Sequence, residues 1–140
     1  MEVSMFDRTL TELDHVRLSK LIRRHKSGRA ASTRSSPIEQ VLEEADIVHW
    51  RRVPPNVVTM YSRVLVKDPQ TGEQSQLTLC YPDDADARSG YVSVLSPAGW
   101  SLLGQKVGAT VHWPTPSGDQ RAAEILGMLF QPESSGVHAM

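Results

Sequence analysis

Ser93-Val94-Leu95-Ser96-Pro97-Ala98-Gly99-Trp100-Ser101-Leu102-Leu103-Gly104 is the stretch on which the reading of this chain turns. A strand-forming run, Tyr91 to Leu95, stops at a serine followed by a proline. A serine hydroxyl is a good helix N-cap, and proline suits a first turn because its missing N–H is not needed there. One short helix is therefore expected from Pro97 to near Gly104, set between strands.

Outward from this stretch the period is that of β structure, with Gly and Pro as punctuation. On the C-terminal side, Thr110 to Trp113 reads as a strand and Pro116-Ser117-Gly118-Asp119 as a turn. Arg121 to Phe130 reads as a last strand, and Gln131 to Met140 as a frayed tail. On the N-terminal side, Tyr61 to Lys67 and Gln76 to Tyr81 flank the turn Asp68-Pro69-Gln70-Thr71-Gly72, the pattern of an antiparallel hairpin. Pro82-Asp83-Asp84-Ala85-Asp86 is an acidic loop.

Before residue 50 the period becomes helical. Thr11-Glu12-Leu13-Asp14 reads as a capping box opening a helix from about Glu12 to about Lys26. Leu18, Leu21 and Ile22 share one side of it, and Arg17, Lys20 and Arg24 line another. Ser27 to Ser35 is small, polar and basic, and reads as a flexible loop. Ser36-Pro37-Ile38-Glu39 restarts a helix on which Ile38, Val41, Leu42 and Ala45 recur at i, i+3, i+4 and i+7. The expected fold class is α+β: a short N-terminal antiparallel helical hairpin over 1–50, then a small antiparallel β barrel or half-barrel with one short helix over 51–131. Residues 132–140 are expected to form a flexible tail.

The 140 residues carry a formal net charge of −1, and that average hides a division. Seven of the fifteen basic residues, Arg17, Lys20, Arg23, Arg24, Lys26, Arg29 and Arg34, fall between His15 and Ile38. All sixteen acidic residues fall outside that segment, so +7 on the arm faces −8 elsewhere. A single cysteine, Cys80, excludes an internal disulfide, and no two of the five histidines have zinc-ligand spacing. No apolar run approaches the roughly 18 residues of a membrane span, so no membrane partner is expected and a cytoplasmic location is. No nucleophile motif or phosphate loop appears, and neither a catalytic group, a cofactor nor a metal is expected.

Two motifs in order carry a resemblance. The Ser93 to Gly104 run, followed by Val107-Gly108 and by Trp113-Pro114-Thr115-Pro116-Ser117-Gly118, resembles the C-terminal domain of the GreA/GreB transcription elongation factors. Pro54-Pro55-Asn56-Val57-Val58-Thr59-Met60, with Ser62 and Val64 after it, resembles the signature of the Rnk branch of that superfamily, the regulators of nucleoside diphosphate kinase. Ala98 and Ala109 depart from the Gre pattern of a larger aliphatic and an acidic residue. The resemblance implies an FKBP-like C-terminal domain docking on RNA polymerase at the rim of its secondary channel, and a coiled-coil arm pointing inward.

In Gre factors acidic side chains at the arm's tip help hold the magnesium that drives transcript cleavage, a task for carboxylate oxygens. Here the tip, Lys26 to Ser35, carries Lys26, Arg29 and Arg34 and no carboxylate, and the arm is short. The resemblance thus implies a non-enzymatic polymerase-binding regulator. Ser96, Pro97, Asp83, Asp84 and Asp86 are its expected polymerase contacts, and Arg17, Lys20, Arg24, Lys26, Arg29 and Arg34 form a basic hairpin and tip. An action on nucleoside diphosphate kinase, direct or through gene expression, is the alternative. Sequence-specific nucleic-acid readout is not expected, because no aromatic residue in the arm can stack a base. Prolyl isomerisation is disfavoured by the scarcity of aromatic residues to line a pocket. The basic stripe and the acidic loop also have a plain reading as solvated faces.

Overall fold

Thr11 both ends a strand and caps a helix. In the computed structural model, which describes residues 8–27 and 36–136 (side chains of 25–27 excepted), its hydroxyl accepts the Asp14 backbone N–H at 3.1 Å. Helix α1 runs Glu12–Ser27, one residue beyond the expected end. Only half of the expected capping box forms. The Asp14 carboxylate, beside the Thr11 side chain, accepts the backbone N–H of Met60 at 3.1 Å rather than that of Thr11. Thr11 itself belongs to β1 (Thr9–Thr11), which pairs in parallel with β2 (Asp46–Val48). These three-residue strands bracket the helices and carry too few residues for a periodic signal.

Helix α2 (Pro37–Glu44) starts as the sequence indicates, with Ser36 Oγ accepting the Glu39 N–H and Pro37 in the first turn. The loop that joins α1 to α2 lies outside the described residues. After β2 the chain forms β3 (Arg63–Lys67), β4 (Gln74–Cys80), β5 (Tyr91–Ser93), helix α3 (Pro97–Leu102), β6 (Thr110–Pro114) and β7 (Gln120–Phe130).

Five strands make one sheet in the order β5-β4-β3-β7-β6. The expected antiparallel pattern holds for β3–β4, β3–β7 and β6–β7 but not for β4–β5, which is parallel. Two 3-10 turns, Pro82–Asp84 and Ala87–Ser89, carry the chain from the end of β4 back to the start of β5, so the two strands run the same way. Register shifts between β3 and β7, at Arg63/Val64 and Leu65/Val66, put extra residues into the ladder and curl the sheet.

A single hydrophobic cluster joins helices and sheet. Leu18 and Ile22 of α1 and Ile38, Val41 and Leu42 of α2 pack in the same core as Val64, Val66, Leu79 and Ile125 of the strands and Leu102 of α3. Burying a side chain such as Leu18 completely stabilises by about 1.5–3 kcal/mol. The apolar rows on α1 and α2 are thus spent on each other and on the sheet. Trp100 and Trp113 pack against this core, half-buried.

Helix α3 is held at both ends. Ser96 Oγ accepts the Gly99 N–H at 3.1 Å and donates to the Ser93 carbonyl at 2.6 Å. Gly99 lies so close to β5 that a Cβ there would stand 1.9 Å from the Ser93 carbonyl oxygen, which leaves glycine as the residue that fits. At the other end the buried Arg8 donates through Nη1 to the carbonyls of Trp100 at 2.6 Å and Leu103 at 2.8 Å, satisfying acceptors the helix terminus leaves open. Burial lowers the Arg8 pKa to about 10, against a smaller opposing effect of Glu44.

The tail expected to fray from Gln131 is anchored at its start. Gln131 is 1% exposed, and its Nε2 donates to the carbonyls of Pro54 and Val57, both at 2.8 Å. A short 3-10 turn, Glu133–Ser135, follows, and residues 137–140 lie outside the described residues. Among the described residues no helix is long and apolar enough to cross a membrane.

Candidate functional site: a groove between the basic helix and the acidic turn

The Asp14–Met60 hydrogen bond ties α1 to the segment that leads into β3, and the buried Leu18 and Ile22 turn its apolar face to the core. Arg17, Lys20 and Arg24 then line one wall of a groove with Leu21 between them. Tyr81, Pro82 and Asp83, just past the end of β4, make the other wall, and the groove holds about 360 Å³. The basic stripe and one member of the acidic loop, separate candidates in the sequence, therefore face each other across one cleft. Lys20 and Arg24 are exposed and Arg17 is half-buried.

The floor behind this cleft is built on an unusual backbone. Tyr61 has φ +66°, in the left-handed region that costs a bulky side chain energy. The conformation sets its ring against Tyr81, with centroids 5.8 Å apart, and its hydroxyl donates to Asp84. Burial, then the bond to Asp84, raise the Tyr61 pKa to about 12. Burial and, after it, the Asp14 charge push Tyr81 up as well, with Arg17 opposing.

Asp14 is 5% exposed, and burial raises its pKa to about 7. The Met60 N–H opposes the shift, Glu133 adds to it, and Arg17 and Thr11 reduce it. Glu133 is itself fixed, accepting from Thr59 Oγ1 at 2.7 Å, and the Thr59 and Ser62 hydroxyls lie 2.9 Å apart. Nothing in the sequence marks Asp14 as buried, because a carboxylate three residues after a threonine reads as a cap. Tyr61 and Glu133 carried no sequence signal of this role either.

The remaining sequence candidates are distributed differently. Asp84 is turned to Tyr61, and Asp86 caps the second 3-10 turn, accepting the Arg88 N–H at 3.1 Å and the Ser89 hydroxyl at 3.0 Å. Asp86 also bridges to Tyr91 at the start of β5, while Ser96 and Pro97 follow the other end of that strand. The acidic turn and the Ser-Pro turn thus flank β5 as expected. The Ser96 hydroxyl is engaged in its cap, whereas Pro97 is exposed. Arg29 and Arg34 lie outside the described residues, and of Lys26 only the backbone, in the last turn of α1, is described. Cys80 is buried at the end of β4, its Sγ donating to the Val92 carbonyl at 3.4 Å, and burial followed by the Asp84 charge raises its pKa. No group of three or more His, Cys, Asp or Glu among the described residues is placed to hold a metal ion.

Residues 53–128, from the Pro-Pro-Asn segment through most of β7, match the family model described as "Transcription elongation factor, GreA/GreB, C-term". The chain belongs to the GreA/GreB family. Within it, the chain is 37% identical over 95 residues to the Escherichia coli K12 protein named "Regulator of nucleoside diphosphate kinase", covering 68% of this chain and 70% of that one. It is 38% identical over 105 residues to the transcription elongation factor GreA of Thermotoga maritima, covering 75% of this chain and 66% of the relative. Among solved structures, a prokaryotic transcription elongation factor GreA/GreB from Nitrosomonas europaea superposes with a TM-score of 0.70 at 33% identity, covering 88% of this chain and 99% of that one. This GreA/GreB family member resembles the Rnk branch, as its Pro-Pro-Asn-Val-Val-Thr-Met segment implies.

Proposed function

We propose that this GreA/GreB family member is a non-enzymatic regulator that binds RNA polymerase near its secondary channel and lacks Gre-type transcript cleavage. The family match over 53–128 is the observation that carries the reading, since relatives of this chain are transcription elongation factors by name. In this reading residues 1–50 form a short helical arm, and residues 51–131, with the curled sheet around α3, form an FKBP-like docking domain. Pro97 and the exposed carboxylates of Asp83, Asp84 and Asp86, grouped around β5, are the polymerase contacts. Ser96 serves them by setting the Ser-Pro turn through its cap.

Two features support the absence of cleavage. The segment from His15 to Ile38 contains no Asp or Glu, so the tip supplies no hard oxygen ligand for a second magnesium and repels it electrostatically. The 16 residues of α1 span only about 24 Å, at roughly 1.5 Å per residue. Such an arm occupies the channel mouth and competes there with longer-armed factors. Arrested elongation complexes, mixed with the purified protein and magnesium, should release no cleaved RNA, and added protein should reduce the cleavage given by a Gre factor. Cleavage by the protein alone would overturn the reading.

The name of the Escherichia coli relative favours a second reading, an effect on nucleoside diphosphate kinase. Kinase activity measured with purified components, with and without this protein, separates a direct effect from one exerted through transcription.

A further inference from the structure

We propose that the groove between α1 and the Tyr81-Pro82-Asp83 turn binds a nucleoside polyphosphate. One wall is cationic. Arg17, Lys20 and Arg24 sit at i, i+3 and i+7, on one face of α1 over about 10 Å of helix axis. Successive phosphates of a short polyphosphate run along such a row, with guanidinium groups as bidentate partners and the ammonium as a point charge. The opposite wall is of another kind. The Tyr81 ring and Pro82, with Leu21 from the helix side, offer apolar surface to a base, and the Asp83 carboxylate accepts from ribose hydroxyls or base amino groups.

This division decides between ligands. A nucleic-acid strand carries phosphate along its whole length and would set some of it against Asp83. A single nucleotide is anionic at one end and apolar with hydrogen-bond donors at the other, which matches the two walls. The volume of about 360 Å³ is that of a small-molecule site. The Asp14 and Tyr81 side chains lie within electrostatic reach of Arg17 at the inner end of the row. A ligand here touches both α1 and the turn after β4, and so ties the basic helix to the sheet. The site shares Asp83 with the proposed polymerase contacts, but it is tested on the protein alone, so its failure and the failure of the docking reading are told apart.

The test is calorimetric titration of the full chain with ATP and GTP, with inorganic tripolyphosphate, and with guanosine, at low and at 0.15 M salt. Saturable binding of a nucleoside triphosphate, weaker binding of tripolyphosphate and none of guanosine are expected. Lys20→Glu, at an exposed position, should weaken nucleotide binding by roughly tenfold or more with the thermal melt unchanged. Asp83→Asn should weaken the nucleotide while leaving tripolyphosphate the same or tighter. Tripolyphosphate binding as tightly as the nucleotide, nucleotide binding undiminished in Lys20→Glu, or no binding of either nucleotide would overturn the proposal.

Discussion

Replacing Asp14 by Asn should make this protein more stable at pH 8 and remove most of its pH dependence between pH 4 and 7. The carboxylate is buried and accepts one backbone N–H, from Met60, while Glu133 faces it with a like charge and Arg17 only partly compensates. Its pKa is therefore raised from 3.8 to about 7 in the folded state. A folded state with the higher pKa holds its proton more tightly than the unfolded chain. Stability from this group is complete below pH 4, is lost as pH rises towards 7, and changes no further above that. The slope is about −1.4 kcal/mol per pH unit and the whole loss about 4 kcal/mol. Asparagine keeps a carbonyl to accept the Met60 N–H and carries no charge at any pH. Urea unfolding of the full chain at pH 5, 6, 7 and 8 measures the effect, and the difference between Asp14→Asn and wild type removes the background from other groups. Glu133→Gln, which takes away the facing charge, should move the wild-type transition to lower pH. A difference curve that is flat between pH 5 and 7, or a variant less stable than wild type at pH 8, would refute the argument.

Three further outcomes follow from the packing of α3 and β4. Gly99→Ala should destabilise by at least about 3 kcal/mol in urea unfolding, since its Cβ would stand 1.9 Å from the Ser93 carbonyl oxygen and backbone must shift. Arg8→Met should cost roughly 2–3 kcal/mol by leaving the Trp100 and Leu103 carbonyls without their donor, with Arg8→Lys restoring part of it. Cys80 should react with a thiol reagent only in denaturant, because burial raises its pKa and covers its sulfur.

The helices with a serine-proline start were legible: Ser36 and Ser96 cap where the sequence puts them, because a cap is a local interaction between neighbours in the chain. What the sequence hid was tertiary. Three-residue β1 and β2 exist because parallel pairing brings residues 9–11 to 46–48, and no periodicity survives in so short a run. β5 reads like any other strand, and its parallel direction comes from the two 3-10 turns before it. Gln131 looks like the first residue of a polar tail but sits under the Pro54–Val57 segment, whose carbonyls it satisfies. The basic stripe and Asp83 were both visible as charges; only the packing of α1 on the core shows that they share a groove. Asp14 itself satisfied a local rule and was used for something else.

The most direct test of the proposed role is retention of the full chain on immobilised core RNA polymerase, read alongside displacement by a Gre factor. Wild type should be retained at moderate salt and displaced by the Gre factor. Pro97→Ala combined with Asp86→Ala should lose most of that retention while its melt shows a folded protein. Failure of the folded wild-type chain to bind the polymerase, or binding that a Gre factor leaves undisturbed, would contradict it.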